Sequence, residues 1–400
     1  MPVPSRPHAE FFAALAPLRE RLAAADDALL RTQVAIAQVP APTGDEGERA
    51  ALLRQRFEAI GLHDVRVDEA GNVIGRRPGR RAVAPVAVCA HLDTVFSRAI
   101  PHVVRCHGVR YEGPSITDNS RGLAVMLAIA EAMGDPSLAP ERPVDFVGTT
   151  GEEGNGDLRG AKHFFARAPE RHSAMIAVDG AGDQRIIHRA LGARRYRVSF
   201  DGPGGHSWSA FGAPNAIHAA AGATARLAAI PLSREPRTTL SVGRIGGGTS
   251  VNAIPDQAWL ELDVRSTGTR ALDRMETEVH RAISAAVDDE NARRARDTRA
   301  LTAHVTRIGD RQGGETDAAH PLVEAASAFT RLSGRDPELA VASTDANVPI
   351  GLGIPAIAIG AGGRGGDAHA PTEWFENVDG PRGVARALAI VLYAAQSPAG

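Results

Sequence analysis

The stretch Val86–Ser97, VAVCAHLDTVFS, decides the fold class of this chain. Its first five residues are apolar or small, a composition typical of a strand that is buried on both faces of a sheet. The apolar run ends at His91, and Asp93 follows two residues later. Because sites in open α/β sheets form at the carboxyl ends of strands, this ending predicts that the strand leads into a functional site.

Three further short apolar runs have the same character, and segments with helical periodicity separate them. Each run ends near acidic or histidine residues: PVDFVGTT (143–150) before Glu152 and Glu153, MIAVDG (175–180) at Asp179, and IPAIAIG (354–360) before Asp367 and His369. Strands that alternate with helices predict an α/β domain with a sheet sandwiched by helices.

The pattern changes near Leu191. The segment that follows alternates as half-exposed strands and contains two helical stretches, in the order β-α-β-β-α-β, which is typical of a small ferredoxin-like α+β unit. After it, the alternation of helix and strand resumes. We therefore expect a first domain in two parts, residues 1–190 and 308–400, with an inserted domain at residues 191–307.

The segment VPAPTGDEGERA (39–50) contains a helix-start signal. Its prolines break the preceding helix, and Glu46 follows Thr43 at the spacing of a capping box. This spacing predicts that Thr43 and Glu46 cap a helix that runs through Phe57.

Composition excludes several classes of function. The net charge of −2 gives no field that would attract nucleic acid or an anionic membrane. Two cysteines, Cys89 and Cys106, do not make a disulfide framework. No apolar run approaches the ~18 residues of a membrane span, and no signal-peptide core is visible, so we expect a cytoplasmic protein. The glycine-rich GAGGRG (360–365) fits a dinucleotide-binding pattern, but no helix start follows it.

Five side chains form a candidate metal site: His91, Asp118, Glu153, Asp179 and His369. Imidazole and carboxylate ligands without thiolates suit zinc, manganese or cobalt. Five protein ligands exceed the four of one tetrahedral zinc, so they can hold two ions if a carboxylate and a water bridge them. Two divalent cations and a hydroxide also balance the three carboxylates, which would otherwise repel one another.

The order of five motifs gives a resemblance to a known family. HLDTV, DNSRG, GEEG, VDG and HAPTE occur in the order seen in the two-zinc exopeptidase and N-acyl-amino-acid deacylase superfamily, which includes tripeptidase T, glutamate carboxypeptidase and succinyl-diaminopimelate desuccinylase. The resemblance covers nearly the whole chain. It implies a zinc-exopeptidase-like catalytic domain with a mixed sheet, and a lid and dimerisation domain as the inserted unit.

The resemblance also implies a role for each residue. His91 and Asp179 would bind one zinc and Glu153 and His369 the second, with Asp118 bridging both. Asp93 would orient the imidazole of His91, and Glu152 would be the general base. The peptide bond Asp118–Asn119 is expected to be cis.

In the inserted domain, the resemblance points to three further residues. His206 in GPGGHSWS, often supplied by a partner subunit, would stabilise the oxyanion. Asn252 and Arg265 would hold polar groups of the substrate. A homodimer formed through this domain is therefore expected.

The expected activity is hydrolysis of small peptides by a zinc-activated water. The Asp-Gly context at Asp179 and the sequence GAKHF (160–164) resemble tripeptidase T-like enzymes. An N-acyl-amino-acid amidohydrolase or a glutamate-type carboxypeptidase is the alternative among enzymes. A metal-free binding protein on the same fold is the alternative of another class.

Overall fold

The computed structural model describes residues 5–168 and 171–396. The chain divides into two compact units: unit 1 comprises Met1–Ala190 and Glu315–Gly400, and unit 2 comprises Leu191–Gly314. The compact units meet at Gly314 and Glu315, whereas the expected boundary at residue 307 lies inside the strand Thr302–Arg311. The division of the chain into functional domains stays a prediction.

The strands of unit 1 form a large mixed sheet and a small one. They are β1 (His63–Val67), β2 (Val73–Arg77), β3 (Val86–His91), β4 (Arg105–His107), β5 (Arg110–Glu112), β6 (Val144–Thr149), β7 (Ala174–Val178), β8 (Arg185–Ala190), β15 (Gly314–Glu315, at the unit boundary), β16 (Glu338–Ala342), β17 (Ala356–Ile359), β18 (Arg364–Gly366) and β19 (Trp374–Glu376). The large sheet has the order β1-β2-β6-β3-β7-β17-β8-β15, with β16 beside β8.

The centre of this sheet is parallel and its edges are mixed. Strand β3 pairs in parallel with β6 and β7, and β17 pairs in parallel with β7. At one edge, strand β2 pairs antiparallel with both β1 and β6. Every residue of β3, β6 and β7 is buried, as the apolar runs predict.

Helices cover both faces of the large sheet. The helices of unit 1 are α1 (Arg6–Ala14), α2 (Ala16–Ala24), α3 (Asp26–Ala37), α4 (Gly47–Ala59), α5 (Ser120–Ala132), α6 (Arg159–Arg167), α9 (Pro321–Leu332), α10 (Asn347–Gly351) and α11 (Gly380–Gln396). Val86 and Val88 of β3 pack in the larger core with α1 to α5, α9 and α11. Ala87 and Cys89, on the opposite face, pack with α6 and α10. The predicted sandwich is confirmed.

The small sheet of unit 1 has the order β18-β19-β5-β4. It joins the segment after β17 to the segment before α5. Strand β18 follows the glycine-rich loop directly, so no helix starts there. The small sheet therefore holds the segments before Asp118 and around His369 together.

Unit 2 contains the expected ferredoxin-like pattern. Its elements are β9 (Gly192–Asp201), β10 (Gly205–His206), α7 (Ala216–Ala228), β11 (Thr238–Gly247), β12 (Ala253–Ile254), β13 (Gln257–Ser266), α8 (Thr269–Ala292) and β14 (Thr302–Arg311). The main sheet has the order β11-β13-β9-β14 and is antiparallel throughout. Inward-facing residues of these strands form one core with α7 and α8.

Within residues 5–168 and 171–396, the structure contains no helix with the length and apolarity needed to span a bilayer.

Candidate active site

The candidate site lies in unit 1, where the central parallel strands end. Strand β3 ends at His91, β6 is followed by Glu152 and Glu153, and β7 is followed by Asp179. Because β3 is parallel to both β6 and β7, these carboxyl ends lie at one edge of the sheet. The side chains that follow these three strands therefore lie at the same edge, as their positions at strand ends predict.

Asp118 lies between the two predicted histidine ligands. Its Oδ1 is 2.9 Å from Nε2 of His91, and its Oδ2 is 3.3 Å from Nε2 of His369. Nε2 of His369 is also 2.8 Å from Oε1 of Glu153. The peptide bond Asp118–Asn119 is cis, as expected. The two oxygens of one carboxylate thus face two different imidazoles.

Asp179 faces the same nitrogen of His91 as Asp118 does. Its Oδ1 is 3.7 Å from Nε2 of His91. Nδ1 of the same ring donates to the backbone oxygen of Asp93 at 3.0 Å. With its proton on Nδ1, a neutral His91 directs the lone pair of Nε2 at the carboxylates of Asp118 and Asp179, an arrangement that a proton on Nε2 or a metal ion between them would stabilise.

The charges of this cluster perturb one another strongly. Burial alone would lower the pKa of His91, yet the facing carboxylates of Asp118, Asp179 and Asp93 raise it well above its ordinary value. The hydrogen bond to Asp118 raises the pKa of His369 to about 9. Burial opposes the ionisation of Asp118, but both histidines hold its pKa below the ordinary value. Burial and the charge of Asp118 raise the pKa of Glu153.

These observations fit a site for divalent cations. The ligand atoms of His91, Asp118 and Glu153 lie within 4.8 Å of one another. The donors are imidazole nitrogens and carboxylate oxygens, which suit zinc, cobalt or manganese. Protons on the two histidines can compensate part of the charge of the clustered carboxylates, and bound cations would replace these protons.

The carboxylate of Asp93 holds the backbone that carries the paired glutamates. It is fully buried, and it accepts hydrogen bonds from the amides of Glu152 at 2.9 Å and Glu153 at 3.0 Å. The hydroxyl of Thr43 donates to it at 2.8 Å. Its nearer oxygen is 3.6 Å from Nδ1 of His91, so the backbone oxygen of Asp93 is the closer acceptor for that ring.

The capping-box interpretation of Thr43 and Glu46 is wrong. Helix α4 begins at Gly47 with Glu46 at the N-cap position, and no side chain caps it. Instead, Oε1 of Glu46 accepts from the amide of Gly151 at 3.1 Å, and Arg159 binds both carboxylate oxygens of Glu46. Glu46 and Asp93 together accept the amides of three consecutive residues, 151 to 153.

Glu373 is a residue of the site that the sequence analysis did not assign. It is fully buried, and its Oε1 accepts from the amides of Thr117 at 2.7 Å and Asp118 at 2.8 Å. Burial raises its pKa to about 7. Glu373 is the last residue of the motif HAPTE, four residues after His369. The sequence therefore contains its motif but does not indicate its hydrogen bonds to Thr117 and Asp118.

Two further buried groups lie beneath the site. Asp345 accepts a hydrogen bond from the hydroxyl of Thr149, and burial raises its pKa to about 6. The guanidinium of Arg49 donates to the backbone oxygens of Val39 and Leu92, and burial lowers its pKa to about 10. Their local sequence gives no signal of these contacts, because every partner lies far away along the chain or is backbone.

The three predicted residues of unit 2 do not come together within that unit. His206 and Asn252 are neighbours, because the amide of Ser207 donates to the backbone oxygen of Asn252 at 2.9 Å. Arg265 lies near the other end of β13, whose first residue is Gln257. Eight residues of extended strand span roughly 26 Å. Nε of Arg265 donates to Asp263 at 2.7 Å.

The tautomer of His206 follows from its local contact. The backbone amide of Trp208 donates to Nδ1 of His206 at 3.2 Å. Nδ1 is therefore the acceptor, and the neutral ring carries its proton on Nε2. This arrangement leaves an exposed N–H donor at the end of unit 2.

Two family descriptions match consecutive parts of the chain. Residues 72–196 match the peptidase family M28, and residues 190–291 match the peptidase dimerisation domain. The first range contains every candidate ligand except His369, and the second covers most of unit 2.

Curated relatives are similar over much of the chain. The chain is 26% identical to the YqjE protein of Bacillus subtilis (strain 168) over 358 residues, which is 84% of this chain and 90% of the relative. It is also 26% identical to a succinyl-diaminopimelate desuccinylase of Corynebacterium glutamicum over 254 residues, 62% of this chain and 68% of the relative.

Solved structures share the fold. The aminopeptidase PepT of Bacillus cereus superposes with a TM-score of 0.72 at 22% identity and covers 92% of this chain and 98% of its own. The YXEP protein of Bacillus subtilis, described as a dinuclear metal-binding peptidase of the M20 family, has a TM-score of 0.69 at 17% identity, with 92% and 98% covered.

Peptidase matches on both units and a cluster of imidazole and carboxylate ligands at the strand ends define an enzyme, a hydrolase of the metallopeptidase and amidohydrolase class. The five motifs that the chain carries in order resemble those of the zinc exopeptidase superfamily, and the matches at residues 72–196 and 190–291 agree with that resemblance.

Proposed function

We propose that this enzyme is an exopeptidase that hydrolyses di- and tripeptides with two divalent metal ions, zinc in the first place. One observation carries the proposal: the two oxygens of Asp118 face the Nε2 atoms of His91 and His369. A carboxylate placed in this way can bridge two ions, one held with His91 and Asp179 and the other with His369 and Glu153.

The bound ions would supply a water of lowered pKa and would polarise the scissile carbonyl. The carboxylate of Glu152 would take a proton from the attacking water and deliver it to the nitrogen of the leaving amine. Glu152 is buried and Asp93 accepts its backbone amide, so the backbone that carries the proposed base is fixed before the substrate arrives. Desolvation of this kind strengthens the electrostatic interactions of a reacting group.

In a homodimer, the unit 2 segments of both protomers would supply residues to one substrate. One copy of the unit cannot offer His206, Asn252 and Arg265 to one small peptide, since Arg265 lies at the far end of β13. Two copies can, if His206 and Asn252 come from one protomer and Arg265 from the other. The Nε2–H of His206 would donate to the oxyanion, and Arg265 would bind a substrate carboxylate.

The leading alternative is deacylation of an N-acyl amino acid, including removal of a succinyl group. The desuccinylase of Corynebacterium glutamicum is among the relatives, which supports this alternative. Asp179 followed by Gly180, and the sequence GAKHF, favour the peptidase. A metal-free binding protein is disfavoured because every ligand position and the base are filled.

Metal analysis and a substrate panel test the proposal. The purified protein should carry about two transition-metal ions per chain, and activity lost to a chelator should return with zinc, cobalt or manganese. Tripeptides, dipeptides, N-acetyl and N-succinyl amino acids should be compared at equal concentration. Cleavage of the N-acyl substrates alone would replace the peptidase by a deacylase, and less than one ion per chain without any hydrolysis would favour the binding protein.

A further inference from the structure

A cavity of about 710 Å³ opens beside Asp118 within unit 1. Its wall contains Asp118 itself, Gly180, which follows Asp179, and Ala368, which precedes His369. One candidate ligand is therefore on its wall, and two others directly adjoin wall residues in the chain. The volume is in the range of small-molecule sites, about 300–1,000 Å³.

The wall of this cavity is poor in apolar side chains. It includes six glycines, at positions 180, 182, 360, 363, 365 and 366, and one aromatic residue, Trp374. Strand β18 supplies two of these glycines and packs tightly, because a Cβ at Gly365 would lie 2.6 Å from Thr117 and a Cβ at Gly366 would lie 2.6 Å from the ring of Trp374. A ligand in this cavity would therefore contact mainly backbone and charged groups, and few apolar side chains.

Most charges on the wall are compensated. Nε of Arg335 lies 3.2 and 3.1 Å from the two carboxylate oxygens of Asp183. Arg185 lies 3.7 Å from Glu338. These two pairs add no net charge to the cavity.

Arg364 is the exception. Its side chain is exposed and makes no hydrogen bond or ion pair with the described parts of the chain. The acid opposite it on β19 is Glu376, which Arg110 engages at 3.2 Å, and the guanidinium of Arg110 lies 4.1 Å from the centre of the Trp374 ring. The cavity therefore carries one uncompensated positive charge, once Asp118 is committed to the metal cluster.

We infer that this cavity binds a carboxylate-bearing part of the substrate and that Arg364 is the residue that recognises it. The inference rests on the proposed function, because it assigns a substrate class to the same site. A guanidinium presents parallel N–H groups that match a carboxylate, and no acid in the wall competes for them. The preferred substrates are amides with an acidic side chain or an acidic acyl group beside the scissile bond.

Matched pairs of substrates identify the source of the carboxylate. Ala-Glu against Ala-Gln and Glu-Ala against Gln-Ala place the charge on either side of the peptide bond. N-succinyl-alanine against N-succinamoyl-alanine places it on an acyl group. The wild-type enzyme should prefer the acidic member of at least one pair by about tenfold in kcat/KM, the size expected for a charge-assisted hydrogen bond.

The variant Arg364→Gln should abolish this preference while it keeps hydrolysis of the neutral member within about twofold. Arg364→Lys should keep part of the preference. Arg185→Gln is the matched control, because Arg185 lines the same cavity in a pair with Glu338, and it should keep the full preference. A preference for acidic substrates that survives Arg364→Gln, or no such preference in the wild type, overturns the inference.

A binding measurement separates this inference from the proposed function. Calorimetric titration of the protein as purified should show that glutarate binds about tenfold more tightly than glutaramate, which lacks the second charge. Arg364→Gln should make the two affinities equal. This result is expected even if none of the peptides is hydrolysed, and equal affinities in the wild type would refute recognition by Arg364.

Discussion

The carboxylate of Asp93 accepts the backbone amide of Glu152 at 2.9 Å, and its second oxygen accepts the next amide at 3.0 Å. One buried side chain therefore fixes the backbone of both paired glutamates, the proposed base and a proposed ligand. The same residue supplies the backbone oxygen that holds His91. The separate segments of the site are thus tied together through Asp93.

We predict that Asp93→Asn impairs metal binding and catalysis together. The amide group of asparagine would face one of the two amide N–H groups with its own donor, so one buried N–H would lose its acceptor. We expect roughly 10- to 100-fold weaker metal affinity, the usual cost of losing a group that supports metal ligands. Competition with a chromophoric chelator measures the affinity. Asp135→Asn, on the surface, is the control, and unchanged affinity in Asp93→Asn would contradict the prediction.

Glu152→Gln should remove catalysis and leave the metals in place. The substitution keeps the size of the side chain and removes its ability to take a proton, a contribution of roughly 10²- to 10⁴-fold in kcat. Steady-state kinetics and metal content should be measured on the same preparation. Activity near that of the wild type would exclude Glu152 as the base.

Glu46→Ala should slow the reaction without loss of metal. It leaves the amide of Gly151 without its acceptor and Arg159 without its partner, and a displaced backbone misplaces Glu152. We expect about a tenfold loss in kcat and about 1–3 kcal/mol in the free energy of unfolding.

Glu48→Ala is the matched control for that variant. Glu48 lies two residues further along, is exposed, and pairs with Arg98. An equal loss of kcat in both variants would show that Gly151 is not the point at which Glu46 acts.

The variants Glu373→Gln and Glu373→Ala should differ in their affinity for metal. Glutamine keeps an oxygen that can accept the amides of Thr117 and Asp118, whereas alanine leaves both buried amides without an acceptor. Glu373→Gln should therefore keep its metal content, and Glu373→Ala should bind metal at least about tenfold more weakly. Glu376→Ala, three residues further along at the end of β19 and only partly buried, is the control. Equal metal binding by the two Glu373 variants would contradict this assignment.

The pH dependence of stability should report on Asp345. Its pKa rises from 3.8 to about 6 in the folded state because of burial, so the folded protein binds this proton more tightly than the unfolded chain. That contribution is complete below about pH 4 and is lost as the pH rises through 6.

Metal-free wild type should therefore lose stability relative to Asp345→Asn between about pH 4 and pH 7. Urea unfolding at several pH values measures the difference between the two proteins. A constant difference across this range would show that Asp345 does not take up the proton.

The sequence predicted the parts of the site that follow directly from strand ends. His91, the paired glutamates and Asp179 each follow a buried strand, and the parallel arrangement of those strands brings them to one edge. A continuous apolar run is typical of a strand that is buried on both faces. The polar residue that ends such a run therefore marks the end of the strand.

The supporting contacts could not be read from local patterns. Thr43 and Glu46 have the spacing of a capping box, but their partners, Asp93 and Gly151, lie 50 and 105 residues further along the chain. Glu373 and Asp345 act through hydrogen bonds to distant segments. The cavity near Arg364 likewise depends on which charges are already paired, and only the folded chain decides that.

The site is assembled from both ends of unit 1, with unit 2 inserted between them. His91, Asp118, Glu153 and Asp179 are all translated before Leu191, whereas His369 and Glu373 follow Glu315. A ribosome that has finished the insertion has therefore not yet produced His369, the last of the three proposed ligands of the second ion. If the proposed pair of ions binds, the second ion can be fully bound only after the last segment of the polypeptide has been synthesised and β17 has paired with β7.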